Sequence, residues 1–204
     1  MKEILLNNDI VNQQNLQSDD KYIRNQYNSE VVNYYYSYPG REHYKLLSYL
    51  SNEYNNSLFL DIGTFRGLSA IALSNNKNNL VMTFDIDELN INKNYPSVKD
   101  VKNIVYMVEN ILDNKAKFYD MVKKSSIIMM DVDPHDGVQE PLFMDVFKEA
   151  GFEGILILDD INLNKPMNDW WNSINYEKYD ISKYGHWSGT GLVNFNKNTK
   201  IILE

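Results

Sequence analysis

The chain has no cysteine, which excludes a disulfide framework and any thiolate-ligated metal centre. Positive charge is scarce too: 20 Lys and Arg face 28 Asp and Glu, a formal net charge of −8. That balance argues against general affinity for nucleic acid or anionic membranes. The one basic pair, Lys123-Lys124, reads as a solvated helix end. No apolar stretch approaches the roughly 18 residues that span a bilayer. The opening residues, Met1 to Asn8, lack a signal-peptide core. A soluble cytoplasmic protein is expected, with no nucleic-acid or membrane partner. Internal repeats are missing as well, and 204 residues suit one domain with a good core. Asn, Lys, Ile and Tyr are abundant, a bias to which we attach no mechanism.

What is present begins at residue 58. An apolar run, Leu58-Phe59-Leu60, ends in Asp61-Ile62-Gly63-Thr64-Phe65-Arg66-Gly67, and the apolar stretch Leu68-Ser69-Ala70 follows. This reads as a buried strand, a glycine turn and a helix start. Gly63 and Gly67 would let the backbone pass close to a bound small molecule. Helix-start N–H groups would suit a carboxylate. The spacing differs from the dinucleotide turn G-x-G-x-x-G, which is absent, so a nicotinamide dehydrogenase is disfavoured.

Further strands close in acidic residues. Leu80–Phe84 ends in Asp85-Ile86-Asp87-Glu88, and a carboxylate there can accept from both hydroxyls of a ribose. Ile104–Val108 is a short third strand. Ile127–Met130 ends in Asp131-Val132-Asp133-Pro134-His135-Asp136, and Ile155–Leu158 ends in Asp159-Asp160. Helical spacing of Tyr44, Leu47, Leu50 and Tyr54 predicts a helix before the first strand. Further helices are expected around Asp113–Lys123, over Val138–Ala150 with Gly151 as its stop, and after Pro166. Tyr176–Ile181 and Leu192–Phe195 read as closing strands. Residues 1–40 are polar, with weak periodicity, and read as a helical or loose segment serving as lid or cap. Residues 41–204 form the main domain. Alternating strands and helices imply right-handed crossovers and a parallel sheet.

Taken together, these motifs resemble the class I S-adenosylmethionine (SAM) methyltransferases. The acidic strand end followed by G-x-x-x-G matches that family's first motif. The D-x-D at Asp131-Val132-Asp133 and the pair Asp159-Asp160 resemble the metal-dependent sugar O-methyltransferases of the macrolide and aminocoumarin type. The catechol enzymes are similar but carry Asp-Asn at the last pair. The resemblance implies a Rossmann-like α/β fold with a mostly parallel seven-stranded sheet, a final antiparallel hairpin and helices on both faces.

The resemblance also implies roles. Asp61, Gly63, Phe65, Gly67, Ser69 and Asp85 would bind SAM, with Asp61 on the methionine amine. Asp131, Asp159 and Asp160 would hold Mg²⁺ or Mn²⁺, since converging carboxylates repel without a cation and oxygen ligands suit a hard ion. Asp133 is the base by analogy; His135 competes because its ordinary pKa lies near neutrality. His186 and Trp187 are substrate candidates, Trp187 as a stacking platform. His43 lies either over the cofactor or at a solvated helix start. Trp170 and Trp171 read as core or interface. The function implied is methylation of a hydroxyl on a sugar, glycoside or glycan. A metal-free or catechol-type methyltransferase and a non-catalytic SAM-binding partner subunit remain as alternatives. Homo-oligomerisation is left open.

Overall fold

The computed structural model describes residues 1–16, 20–87 and 101–204. The chain opens with β1 (Lys2–Leu6), α1 (Asn8–Asn12), α2 (Asp20–Gln26), α3 (Ser29–Tyr35) and α4 (Tyr44–Asn52). Next come β2 (Leu58–Ile62), α5 (Leu68–Leu73), β3 (Leu80–Asp85), β4 (Ile104–Val108) and α6 (Lys115–Lys124). Then follow β5 (Ser125–Met130), α7 (Gln139–Ala150), β6 (Ile155–Asp159) and α8 (Lys165–Ser173). The tail is β7 (Glu177–Asp180), β8 (Thr190–Asn194) and β9 (Thr199–Leu203).

Among the described residues one sheet has seven strands, in the order β4-β3-β2-β5-β6-β8-β7. The strands from β4 to β6 are parallel, whereas β8 runs antiparallel to both β6 and β7. This is the α/β sheet expected, closing in an antiparallel hairpin. Its central strands are buried on both faces, which is why they read as continuous apolar runs rather than as alternations. The period of two still assigns their side chains. Phe59, Ile127, Met129, Ile155 and Ile157 join the core beneath α4 and α5. Leu60, Ile62, Ile128, Met130, Leu156 and Leu158 join the opposite core, beneath α6, α7 and α8. Trp170 and Trp171 are buried in that second core.

Local signals stop the helices where expected. Gly151 ends α7 at φ 71°. The Asn164 side chain accepts from the Met167 N–H at 3.0 Å, and Pro166 sits in the first turn of α8. Two strands were not legible. β1 pairs in parallel with β9, Lys2 opposite Thr199, and Ile4, Leu6 and Ile201 are buried. Residues 1–40 thus contain a strand as well as helices. No described helix is long and apolar enough to cross a membrane.

The chain moves outward from β2 to β4, then returns to place β5 on the other side of β2. A crevice opens beyond the carboxyl ends of strands at such a reversal. Asp61, Asp85, Asp131, Asp159 and Asp160 all stand at those ends.

Candidate active site

The glycine turn is fixed first by the sheet itself. Gly63 has φ 97°, and an added Cβ would lie 1.6 Å from the Asp131 carbonyl oxygen. Its missing side chain therefore makes room for the end of β5, where the Asp131 N–H donates to the Ile62 carbonyl at 2.9 Å. The expected need for ligand clearance at Gly63 is not the only reason for glycine there. Gly67, at φ 71°, precedes α5, and Ser69 is buried in its first turn.

Asp61 is fully buried. Its Oδ2 accepts from the Thr83 hydroxyl at 2.6 Å, while Oδ1 has no hydrogen-bond partner. Burial pushes its carboxyl up to about 6. Asp85, at the end of β3, accepts from the backbone N–H groups of Phe65 and Asp87, at 2.9 Å each. It thus ties the glycine turn to the second strand, and each oxygen retains a lone pair. Glu88 lies outside the described residues. A cavity of ≈ 480 Å³ runs past Asp85, Ile86, Ile111, Asp133 and Phe143. A second, of ≈ 290 Å³, is walled by Tyr34, Glu42, His43, Ser69, His186 and Trp187. The two meet at Gly63, Phe65 and Asp131. Tyr34 brings the first 40 residues into the wall, and the Tyr27 hydroxyl, donating to the Arg66 carbonyl at 2.6 Å, docks that segment on the turn.

The acidic cluster is not the bare set of carboxylates expected. All three histidines of the chain converge on it. His135 Nε2 lies 3.6 Å from Asp131 Oδ1, 3.4 Å from Asp133 Oδ1 and 3.5 Å from Asp160 Oδ2. Asp131, His135 and Asp160 form one group able to hold an ion. Asp159 belongs to another, with His43 and His186. The predicted ligands are thus each joined by histidines, Asp131 and Asp160 by His135 and Asp159 by His43 and His186. Asp159 is still in strand register, opposite Thr190, whereas Asp160 turns to φ 61°, so the two neighbours leave β6 differently. Asp133 is 96% exposed at its side chain, on the wall of the larger cavity.

His43 is not at a solvated helix start: it is buried at the head of α4, with Nδ1 3.5 Å from Asp159 Oδ2. Burial opposes its protonated form, but Asp159 outweighs it and raises its pKa. His186 is carried by the β7–β8 connection. Its N–H donates to Thr190 Oγ1 at 2.7 Å, and the Gly40 N–H donates to the preceding Gly185 carbonyl at 2.9 Å. Gly185 is needed for this approach, because a Cβ would stand 2.3 Å from Thr190 Oγ1. His186 Nδ1 lies 3.4 Å from both Asp159 Oδ1 and Asp160 Oδ1. Burial disfavours its charge, yet Asp159, Asp160 and Glu42 push it up to about 10. Conversely, the two imidazoles hold Asp159 well below the usual carboxylate range, although burial alone would raise it. Burial, then Asp159, raises Asp131. Trp187 is 68% exposed beside the smaller cavity.

No protein-family model matches the sequence, and no curated protein matches it. Solved structures do match. One, from Staphylococcus aureus and assigned as a caffeoyl-CoA O-methyltransferase, is 16% identical, with TM-score 0.59 over 88% of this chain and 98% of that one. SAH-bound methyltransferase PaMTH1 of Podospora anserina is 10% identical, with TM-score 0.59 over 88% and 86%. Cofactor-bound Rv0187 from MTB is 15% identical, with TM-score 0.58 over 76% and 80%. The fold is the Rossmann-like methyltransferase fold. His135, His186 and His43 are each candidates in the sequence, as base, substrate contact and cofactor cover; no local signal shows that all three meet at one acidic cluster.

Proposed function

We propose that this chain is a SAM-dependent O-methyltransferase acting on a hydroxyl of a small acceptor, a sugar or glycoside in first place. The observation that carries the proposal is Asp61. A fully buried carboxylate oxygen without a close partner, beneath the glycine turn at the sheet's reversal point, calls for a donor from a ligand. The ammonium of the cofactor's methionine supplies one. The larger cavity, with Asp85 for a ribose hydroxyl and Ile86 and Ile111 as apolar walls, suits the nucleoside. Phe65, between the two cavities, would pack on the cofactor while the smaller cavity takes the acceptor.

Asp131, His135 and Asp160 would hold a divalent ion, and an imidazole among oxygens suits Mn²⁺ better than Mg²⁺. Such an ion supplies polarisation of the acceptor hydroxyl and a lower pKa for it. His135 is paired with Asp131, Asp133 and Asp160, and Asp133, exposed on the larger cavity, would take the hydroxyl proton from an acceptor that reaches past Asp131, where the two cavities meet. The chain's own contribution is to hold acceptor and methyl group in line and to keep water out. A sugar hydroxyl is a weaker acid than a phenol, so it gains more from this arrangement. Trp187 offers a stacking face for a sugar ring. A phenolic acceptor is the second reading, favoured by the name of the Staphylococcus aureus neighbour.

Calorimetry with SAM, SAH and NAD tests the cofactor, and failure to bind SAM ends the proposal. Labelled methyl transfer to glycosides, nucleotide sugars and catechols, with chelator and then with Mn²⁺, tests the acceptor and the metal. Turnover of catechols alone selects the second reading.

A further inference from the structure

We propose that His43, Asp159 and His186 form a second cation site, separate from the Asp131, His135 and Asp160 group, that takes a borderline first-row transition ion such as Zn²⁺. Two imidazole nitrogens and one carboxylate are a donor set for Zn²⁺ rather than for Mg²⁺. The three ligating atoms lie within 4.8 Å of one another. His43 Nδ1 stands 3.5 Å from Asp159 Oδ2, and His186 Nδ1 stands 3.4 Å from Asp159 Oδ1. Those separations are long for hydrogen bonds. They run to the two different oxygens of one carboxylate, so an ion at about 2.0–2.1 Å from its donors is either held by both oxygens or draws the imidazoles toward one of them.

A second observation points to a ligand. His43 is 4% exposed and Asp159 6%, and His43 Nδ1 and Asp159 Oδ1 are buried without a hydrogen-bond partner. Buried polar atoms are ordinarily satisfied, and an ion between them satisfies both. Behind His186, Glu42 Oε2 lies 3.8 Å from Nε2, the nitrogen facing away from Asp159. At that distance its negative charge favours a cation on the other side of the ring. The ion competes with two local contacts of His186 Nδ1, the 2.6 Å hydrogen bond with Ser188 Oγ and the 3.4 Å approach of Asp160 Oδ1.

The ligands come from three segments: the head of α4, the end of β6 and the connection before β8. An ion there clamps together the walls of the smaller cavity, which His43 and His186 both line. Since it binds only the folded arrangement, it raises the melting temperature. The site stands apart from the methyl-transfer reading, since neither SAM nor acceptor enters the argument.

The test uses the full chain, stripped with a chelator and titrated with Zn²⁺, and with Co²⁺ as a spectroscopic probe. The expected result is a tight equivalent that raises the melting temperature. His43→Gln or His186→Gln should weaken it by about 100-fold or more, whereas His135→Gln should leave it in place. Should these variants not fold, X-ray absorption on the zinc-loaded wild type counts its histidine ligands: two supports the site, one or none overturns it. Zinc binding no tighter than millimolar, or equal loss in His43→Gln and His135→Gln, also overturns it and leaves Asp159 simply ion-paired between two imidazoles. Calorimetry with SAM on the same samples reports separately on the cofactor.

Discussion

The two sides of the crevice are built by different rules. On the β2–β3 side, Asp61, Gly63, Phe65 and Asp85 come from two neighbouring strands and one turn, held by backbone N–H groups 2.9 Å from the Asp85 carboxylate. On the β5–β6–β8 side, His43, His135 and His186 reach the acidic cluster from three segments far apart in sequence. The first side is a local motif whose positions depend on backbone geometry. The second is an assembly of charges, in which each imidazole meets at least one carboxylate from another element. Mutations on the first side should therefore act on folding and cofactor affinity, those on the second on rate and ion binding.

The largest effect expected lies on the second side. Asp133→Asn should lower the methyl-transfer rate by roughly 100-fold or more, leaving SAM affinity nearly unchanged. If His135→Ala is as costly in rate but is rescued by raising Mn²⁺, His135 is a ligand and the contrast sharpens. Should its loss instead remove a step near neutrality from the pH–rate profile, His135 is the base and the Asp133 assignment is wrong.

On the first side, Gly63→Ala should cost about 3 kcal/mol or more, read from denaturant midpoints, because its Cβ meets the Asp131 carbonyl at a positive φ. A variant with wild-type stability and lost SAM binding would return Gly63 to a pure clearance role.

Asp61 joins stability to function. Its folded pKa, about 6, lies above the unfolded value, so the neutral form favours folding. The stabilising effect is present below about pH 4 and is lost as pH rises through about 6. Asp61→Asn should thus stabilise the cofactor-free protein at pH 8 by about 2 kcal/mol while weakening SAM by about 10- to 100-fold. In the wild type, SAM affinity should rise with pH through about 6, as the ammonium requires the ionised carboxylate. Flat affinity from pH 5 to 7 would detach Asp61 from the cofactor. The smallest effect is Trp187→Ala. Its exposed ring contributes little to the fold, so acceptor KM should rise a few-fold with kcat and melting temperature nearly constant.

The sheet's central strands, the glycine turn and the acidic strand ends were all readable from the order of residues along the chain. Those signals are local: strands buried on both faces show as apolar runs, Gly63-x-x-x-Gly67 marks the turn, Gly151 marks a helix end and Pro166 a helix start. Tertiary structure alone decided which groups meet. The β1–β9 pairing joins Lys2 to Thr199, and no local pattern encodes a partner so distant. Gly63 reads as ligand clearance until the Asp131 carbonyl is seen against it. Asp159-Asp160 reads as a bare carboxylate pair until the fold brings His43, His135 and His186 against it. His43 could be placed either over the cofactor or at a solvated helix start, because its neighbours Asp159 and His186 are brought to it only by the sheet order and the final hairpin. Strand identity is set by neighbours along the chain; electrostatic partnership is set by distance in space, and only the folded sheet fixes that.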